Sequence, residues 1–254
     1  MVGFDFKDKV VLVTGGSSGI GKATALAFAE ANAIVVVASK NEKRGIEIET
    51  KLKEINAFSS WIRTDILVST DISNLFNIIS EKYKKLDIAF NNASVGGEAG
   101  KLENISLEDW NKTINGCLTS IFLCMKHELL IMKNQNSGII VNNSSVDGLR
   151  AFAWDPAYSS AKHGVLGLTK STALQYATEN IRINAICPGW IKTPPIENLL
   201  ENNPEIEKEL LMHQPIGRFG TAEEVAEVVM WLSSDKSSFL LGSAITVDGG
   251  YTIV

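Results

Sequence analysis

The chain has 254 residues, 45% hydrophobic and 21% charged, with a formal net charge of −5 and a pI near 5.4. That acidic balance supplies no basic footprint for nucleic acid or an anionic membrane. Three scattered cysteines, Cys117, Cys124 and Cys187, are too few for a disulfide framework.

In chain order, short runs rich in Val and Ile alternate with longer amphipathic stretches. Lys9–Val13, Ile34–Ala38, Leu86–Phe90, Gly138–Asn142, Ile181–Ile186 and Ala244–Val247 read as strands buried on both faces, with 61–64 a weaker one. Helices are expected at about 20–31, 42–55, 72–84, 107–133, 157–178 and 222–233, two of them opened by capping boxes at Ser106 and Thr221. This alternation predicts a doubly wound parallel α/β sheet forming one domain over residues 1–254. No apolar run reaches the roughly 20 residues of a bilayer span. The N-terminal stretch also lacks the pattern of a signal peptide, so a cytoplasmic, reduced protein is expected.

The first strand runs into VTGGSSGIGKA (13–23). Gly16 to Lys22 has most of a triphosphate P-loop, but Ala23 stands where that loop needs a magnesium-binding hydroxyl. Gly15, Gly19 and Gly21 suit instead a tight strand-to-helix turn with a pyrophosphate on the helix N-terminus. A glycine-rich connector without a ligand is the bland alternative.

Further along, Tyr158 and Lys162 are four apart in a helical segment and so share a face. An ammonium beside a phenol favours the phenolate, but lowering a tyrosine pKa from about 10 to neutrality needs roughly 4 kcal/mol. Taken alone, the pair is a weak signal that suits a solvated helix surface better than catalysis. Ser145, thirteen residues before Tyr158, lies past an apolar strand at the sheet edge where α/β proteins bind ligands. Asn115 interrupts an otherwise apolar helical stretch, where asparagine is mildly unfavourable.

With these pieces assembled, the chain resembles the short-chain dehydrogenase/reductase family over nearly its whole length. The resemblance is carried by TGGSSGIG (14–21), Asp65, NNAS (91–94), Asn115, Ser145, YSSAK (158–162), ICPGWIKTP (186–194), GRFG (217–220) and VDGG (247–250). It implies a Rossmann-type sheet of seven parallel strands in a homotetramer, interconverting a small secondary alcohol and a carbonyl with NAD(P)(H). It implies Tyr158 as general acid/base and Ser145 as holder of the substrate oxygen. Lys162 would lower the phenol pKa and bind the ribose, and Asn115 would position a relay water. It also implies cofactor contacts from Gly15, Ser17, Ser18, Gly19, Ile20, Gly21, Asp65, Ile66, Asn92, Ala93, Tyr158, Lys162, Pro188, Gly189, Ile191 and Thr193, support of the sheet by Asn91, and no metal.

At the end of the second strand, Ser39 and Lys40 stand where an NAD enzyme usually offers a carboxylate. Ser39 and Lys40 suit a 2′-phosphate, so NADP(H) is favoured and NAD(H) is the alternative. Ser94 departs from the family's usual glycine. Asp147 departs from its usual small residue, and either faces the cleft, where it would bind a substrate hydroxyl or amine or raise the pKa of Tyr158, or points to solvent. Residues 190–216 are expected to form a substrate lid, with Trp154, Trp190, Ile196 and Leu199 around an apolar pocket. A 3-oxoacyl-(acyl carrier protein) reductase or sugar dehydrogenase, and a non-catalytic dinucleotide sensor, are the other readings.

Overall fold

The computed structural model describes residues 3–95, 98 and 100–254. Seven parallel strands form one sheet in the order β3-β2-β1-β4-β5-β6-β7. They are β1 Val10–Thr14, β2 Ile34–Ser39, β3 Ser60–Arg63, β4 Ile88–Asn91, β5 Gly138–Asn143, β6 Ile181–Pro188 and β7 Ala244–Val247. The strand order reverses between β1 and β4, which opens a crevice at the carboxyl edge of the sheet.

Strand side chains alternate between two cores. Val11 and Val13 of β1 join one face, and Val10 and Leu12 join the other. The first face is covered by α1 (Gly19–Glu30), through Ala25 and Phe28, by α2 (Glu42–Ile55), and by a later helix at Ala222–Leu232 through Val225 and Val229. The opposite face takes α3 (Ser69–Tyr83), α5 (Ser120–Asn134) and α6 (Pro156–Tyr176), and α4 (Leu107–Ile114) packs against α6. Two short helices, α7 (Pro194–Asn202) and α8 (Ile206–Met212), follow β6, and Ala222–Leu232 is α9. Each fully buried Val, Leu or Ile contributes about 1.5–3 kcal/mol relative to exposure, so both faces anchor the sheet strongly.

Two expectations need correction. The single helix expected at 107–133 is interrupted by one wide turn, Asn115–Thr119, in which hydrogen bonds skip an extra residue. The extra residue seats Gly116 so close to Val95 that a Cβ would lie 2.7 Å from the Val95 side chain. It also lets the Cys117 thiol donate to the Val95 carbonyl at 2.8 Å. The second correction concerns length: Leu107–Asn134 is long and apolar enough to cross a bilayer by composition. Here it is packed onto the sheet through Ile121, Met125 and Met132, and it carries the buried Glu128.

Candidate active site

The crevice at the β1–β4 divide is built from close backbone approaches. Gly15 has φ +67°, and a Cβ on it would lie 2.9 Å from Asn92 Nδ2. A Cβ on Gly21 would meet the Gly15 carbonyl at 2.5 Å and Asn92 Nδ2 at 2.6 Å, so both positions require glycine. Thr14 Oγ1 accepts from the N–H groups of Asn92 and Ala93 at 2.9 and 3.1 Å, and Asn92 Nδ2 donates to the Thr14 carbonyl. Asn92 is thus engaged in tying β4 to β1, and this shapes the turn. The helix that follows begins without a side-chain cap: Ser18 is extended, with φ −157°, and makes no capping hydrogen bond. The first N–H groups of α1, from Gly19, Ile20 and Gly21, therefore lack a side-chain partner beside the buried Ser17, an arrangement that suits a phosphate. Across the crevice, Thr193 at the start of α7 faces Gly19, whose Cβ would lie 3.2 Å from Thr193 Cγ2.

The adenosine end is more constrained than the sequence suggests. Ser39 is buried at the end of β2, and its hydroxyl accepts from the Trp61 indole N–H at 2.9 Å. Lys40 is ion-paired with Asp65 at 2.6 Å, so two residues assigned separate cofactor roles hold each other. Despite partial desolvation, the Lys40 hydrogen bond keeps the Asp65 carboxyl below its ordinary pKa. Ile66 is half-buried beside them. At the nicotinamide end, Gly189 donates to the Val247 carbonyl at 3.0 Å, and Pro188 closes β6. Ile191 is buried and bridged to Gly220.

The side chains that carry chemistry meet at the end of β5. Asp155 caps α6 by accepting from the Tyr158 N–H at 3.0 Å, and Pro156 fits the first turn because its missing N–H is not needed there. Tyr158 and Lys162 then project from one face of that helix. Lys162 is only 1% exposed. Its ammonium lies 5.3 Å from the Tyr158 ring centroid and donates to the Asn143 carbonyl at 2.8 Å. Ser145 caps the next turn, its hydroxyl accepting from the Asp147 N–H at 3.1 Å, and it is close enough to the Tyr158 phenol and the Asp147 carboxyl to lower the pKa of each.

The electrostatics differ from the expectation that Lys162 lowers the phenol pKa. Burial pushes Tyr158 well above its ordinary value, Cys117 and Asp147 add to the rise, and Ser145 opposes it. Burial likewise pulls the Lys162 ammonium below its ordinary value. The ammonium lies over the ring and is bonded to a carbonyl, so desolvation outweighs it, and the phenol keeps its proton at neutral pH.

Asn115 is not brought to this cluster. It is exposed, at the first position of the wide turn. The residue two places on, Cys117, is the buried one, close enough to Tyr158 to raise its pKa. Helix phase carried the signal: Thr113, Cys117, Ile121, Cys124 and Glu128 form the buried stripe, and Asn115 is off it. Asn91 is buried away from the cleft, donating to Glu128 at 3.1 Å and to Asn142 at 3.0 Å. Ser94 and Trp154 are exposed, whereas Trp190, Ile196 and Leu199 are half-buried. Asp147, left open by the sequence, belongs to the cluster.

A dinucleotide fits these residues. The glycines form a cradle that any side chain would fill, the helix start is uncapped, and Asn143 Oδ1 is buried without a partner between Asn92 and Lys162.

Comparison with known proteins agrees with this geometry. The family model described as enoyl-(acyl carrier protein) reductase matches residues 15–252. The cyclohexanol dehydrogenase of Acinetobacter sp. (strain SE19) is 38% identical, aligned over 97% of this chain and 96% of that protein. The cis-4-hydroxycyclohexanecarboxylate dehydrogenase of Sinomonas cyclohexanicum is 37% identical over the full length of both. A solved actinorhodin polyketide ketoreductase with NADPH superposes with a TM-score of 0.91 at 30% identity, covering 97% of this chain and 98% of the other. Seven parallel strands, a glycine cradle at the strand-order reversal and full-length similarity to alcohol and carbonyl oxidoreductases make this chain a member of the short-chain dehydrogenase/reductase family.

Proposed function

We propose that this protein reversibly oxidises a secondary alcohol to a ketone with NADP(H) in preference to NAD(H), using Tyr158 as the general acid/base. The observation that carries the reading is the meeting of Tyr158, Ser145 and the buried Lys162 at the carboxyl end of β5, beside the uncapped glycine turn. The dinucleotide, when bound, supplies or takes the hydride. Gly15, Ser17, Ser18, Gly19, Ile20 and Gly21 hold its pyrophosphate, and Asp65 and Ile66 border the adenine. Asn92, Ala93, Pro188, Gly189, Ile191 and Thr193 frame the nicotinamide side.

Ser145 donates to the substrate oxygen and favours negative charge developing there. Tyr158 gives its proton to that oxygen in reduction and recovers one in oxidation. Its raised pKa suits reduction at neutral pH, and the oxidation rate rises as the solution is made alkaline. Lys162 reaches the ribose hydroxyls from its buried seat. Residues 190–216, with α7 and α8, form a lid over a single domain, and ring alcohols are the substrate class suggested by the named relatives. The reading extends to a cytoplasmic homotetramer.

Reduction of cyclohexanone, followed by loss of nicotinamide absorbance with each dinucleotide, tests the proposal. Tyr158→Phe is expected to lower kcat by roughly 10²–10⁴ while changing dinucleotide affinity far less. Undiminished turnover in that variant would remove the mechanism.

A further inference from the structure

The turn after Ser145 carries a carboxylate that the reaction above does not use. Asp147 lies in the turn Val146–Gly148, and its N–H donates to Ser145 Oγ at 3.1 Å. The following Gly148 is pressed against Ser144 and the Lys162 carbonyl so tightly that a Cβ would collide, which fixes the turn against α6. The Asp147 side chain is half-buried. Among the described residues it has no basic nitrogen within 4 Å.

Its surroundings are otherwise defined. Asp155 at the start of α6, Tyr158, Lys162 and His163 within it, and Tyr251 after β7 are near enough to interact with its charge. Arg150 holds Tyr251 in place, donating to its carbonyl at 2.7 Å with the guanidinium 5.7 Å from the ring centroid. Tyr251 in turn meets His213, just after α8, with ring centroids 6.4 Å apart. Phe152, on the segment between this turn and α6, pairs edge-to-face with Trp190 at 6.3 Å. A carboxylate partly removed from water needs hydrogen-bond donors, and this one has acceptor sites to spare.

We infer that Asp147 is a specificity-determining anchor, accepting a hydrogen bond from a second donor group on the substrate while Ser145 and Tyr158 hold the reacting oxygen. The inference rests on the reaction proposed above and narrows its substrates to alcohols and ketones bearing a neighbouring hydroxyl or ammonium. A carboxylate at the same place on the substrate is repelled.

The test measures kcat and KM for oxidation of cyclohexanol, trans-1,2-cyclohexanediol, trans-2-aminocyclohexanol and trans-2-hydroxycyclohexanecarboxylate. The enzymes compared are the wild type, Asp147→Ala and the near-isosteric Asp147→Asn. The wild type is expected to favour the diol or the amino alcohol over cyclohexanol by about tenfold in kcat/KM, mainly through KM, and to disfavour the acid. Asp147→Ala removes that preference. Asp147→Asn keeps part of it for a hydroxyl, because the amide oxygen still accepts, and none for an ammonium, which separates the two donors. An unchanged preference in both variants, or a wild type that favours cyclohexanol, overturns the inference and leaves the reaction standing. A wild type that oxidises none of the four with either dinucleotide overturns the reaction reading, and the inference with it.

Discussion

The carboxyl edge of the sheet has two regions that recognise in different ways. Around β1 and β2 the surface is backbone: glycines at 15, 19 and 21, an uncapped helix start, and side chains such as Asn92 and Thr14 engaged in holding strands together. Around β5 and α6 it is side chain: Ser145, Asp147, Tyr158 and Lys162 converge from a turn and one helix face. Backbone recognition tolerates almost any sequence that leaves the glycines in place. Side-chain recognition depends on which way each residue faces, and a shift of one position changes the chemistry.

Breaking the backbone region is expected to have the largest effect. In Gly21→Ala the new Cβ meets the Gly15 carbonyl, which is backbone, and Asn92 Nδ2, which is held by its bond to the Thr14 carbonyl. The turn must open, at a cost of about 1–3 kcal/mol in stability. Dinucleotide affinity falls by more than about tenfold, since cradle and helix start no longer converge. Denaturant unfolding and a dinucleotide titration check the two parts; unchanged affinity would show that the cradle does not bind the pyrophosphate.

At the rim of that region the expected effect is smaller and concerns choice. The Lys40–Asp65 pair is partly solvent-exposed, so holding it together is worth only about 0–1 kcal/mol. A phosphate can therefore recruit Lys40 cheaply. Lys40→Ala is expected to reduce the preference for NADP(H) over NAD(H) by about tenfold, whereas Asp65→Asn strengthens NADP(H) binding a few-fold by releasing the lysine. Equal Kd ratios in the wild type and Lys40→Ala would assign the discrimination elsewhere.

The strands were legible because both sheet faces are buried, so their Val and Ile runs are continuous. The seven-stranded architecture follows from their alternation with helices. Gly15 and Gly21 were legible for a related reason, since no other residue fits those approaches. The partners of polar groups were much less so. Nothing in the sequence indicates that Lys40 pairs with Asp65, that the Ser39 hydroxyl accepts from Trp61, or that Lys162 donates to Asn143. Those contacts depend on strand register and helix packing across the sheet. The surroundings of Asp147 are hidden for the same reason: its turn is fixed by Gly148 packed against α6.

A test below both regions probes the core that supports them. Glu128 is fully buried, accepting from Asn91, and burial raises its pKa to about 8 despite that hydrogen bond. Glu128 Oε1 and Asn91 Oδ1 both lack partners. The folded pKa exceeds the unfolded value, so the folded state holds an extra proton between the two. Stability is therefore greatest below the unfolded pKa and falls as pH rises through about 8. Glu128→Gln removes the ionisation and adds a donor for Asn91. Its unfolding free energy, measured with denaturant, is expected to exceed the wild type's at pH 8 by about 1–3 kcal/mol and to match it near pH 4. A pH-independent difference between the two proteins would refute the assignment.

The smallest expected effect is the sharpest test of how side-chain recognition is read. Asn115 and Cys117 are two residues apart, close to opposite sides of a helix at 3.6 residues per turn. The buried stripe runs through Cys117, whose thiol is bonded to Val95 and whose position raises the Tyr158 pKa; Asn115 is exposed. An asparagine in an apolar stretch attracts attention by its polarity, but the wide turn at 115–119 decides what faces the cleft. Asn115→Ala is therefore expected to leave kcat/KM within about twofold, the scale of a surface substitution. Cys117→Leu, by contrast, crowds Tyr158 and lowers kcat. A hundredfold loss in Asn115→Ala would mean that the helix turns its polar face inward during turnover, and that the cleft is completed from α4 rather than from α6 alone.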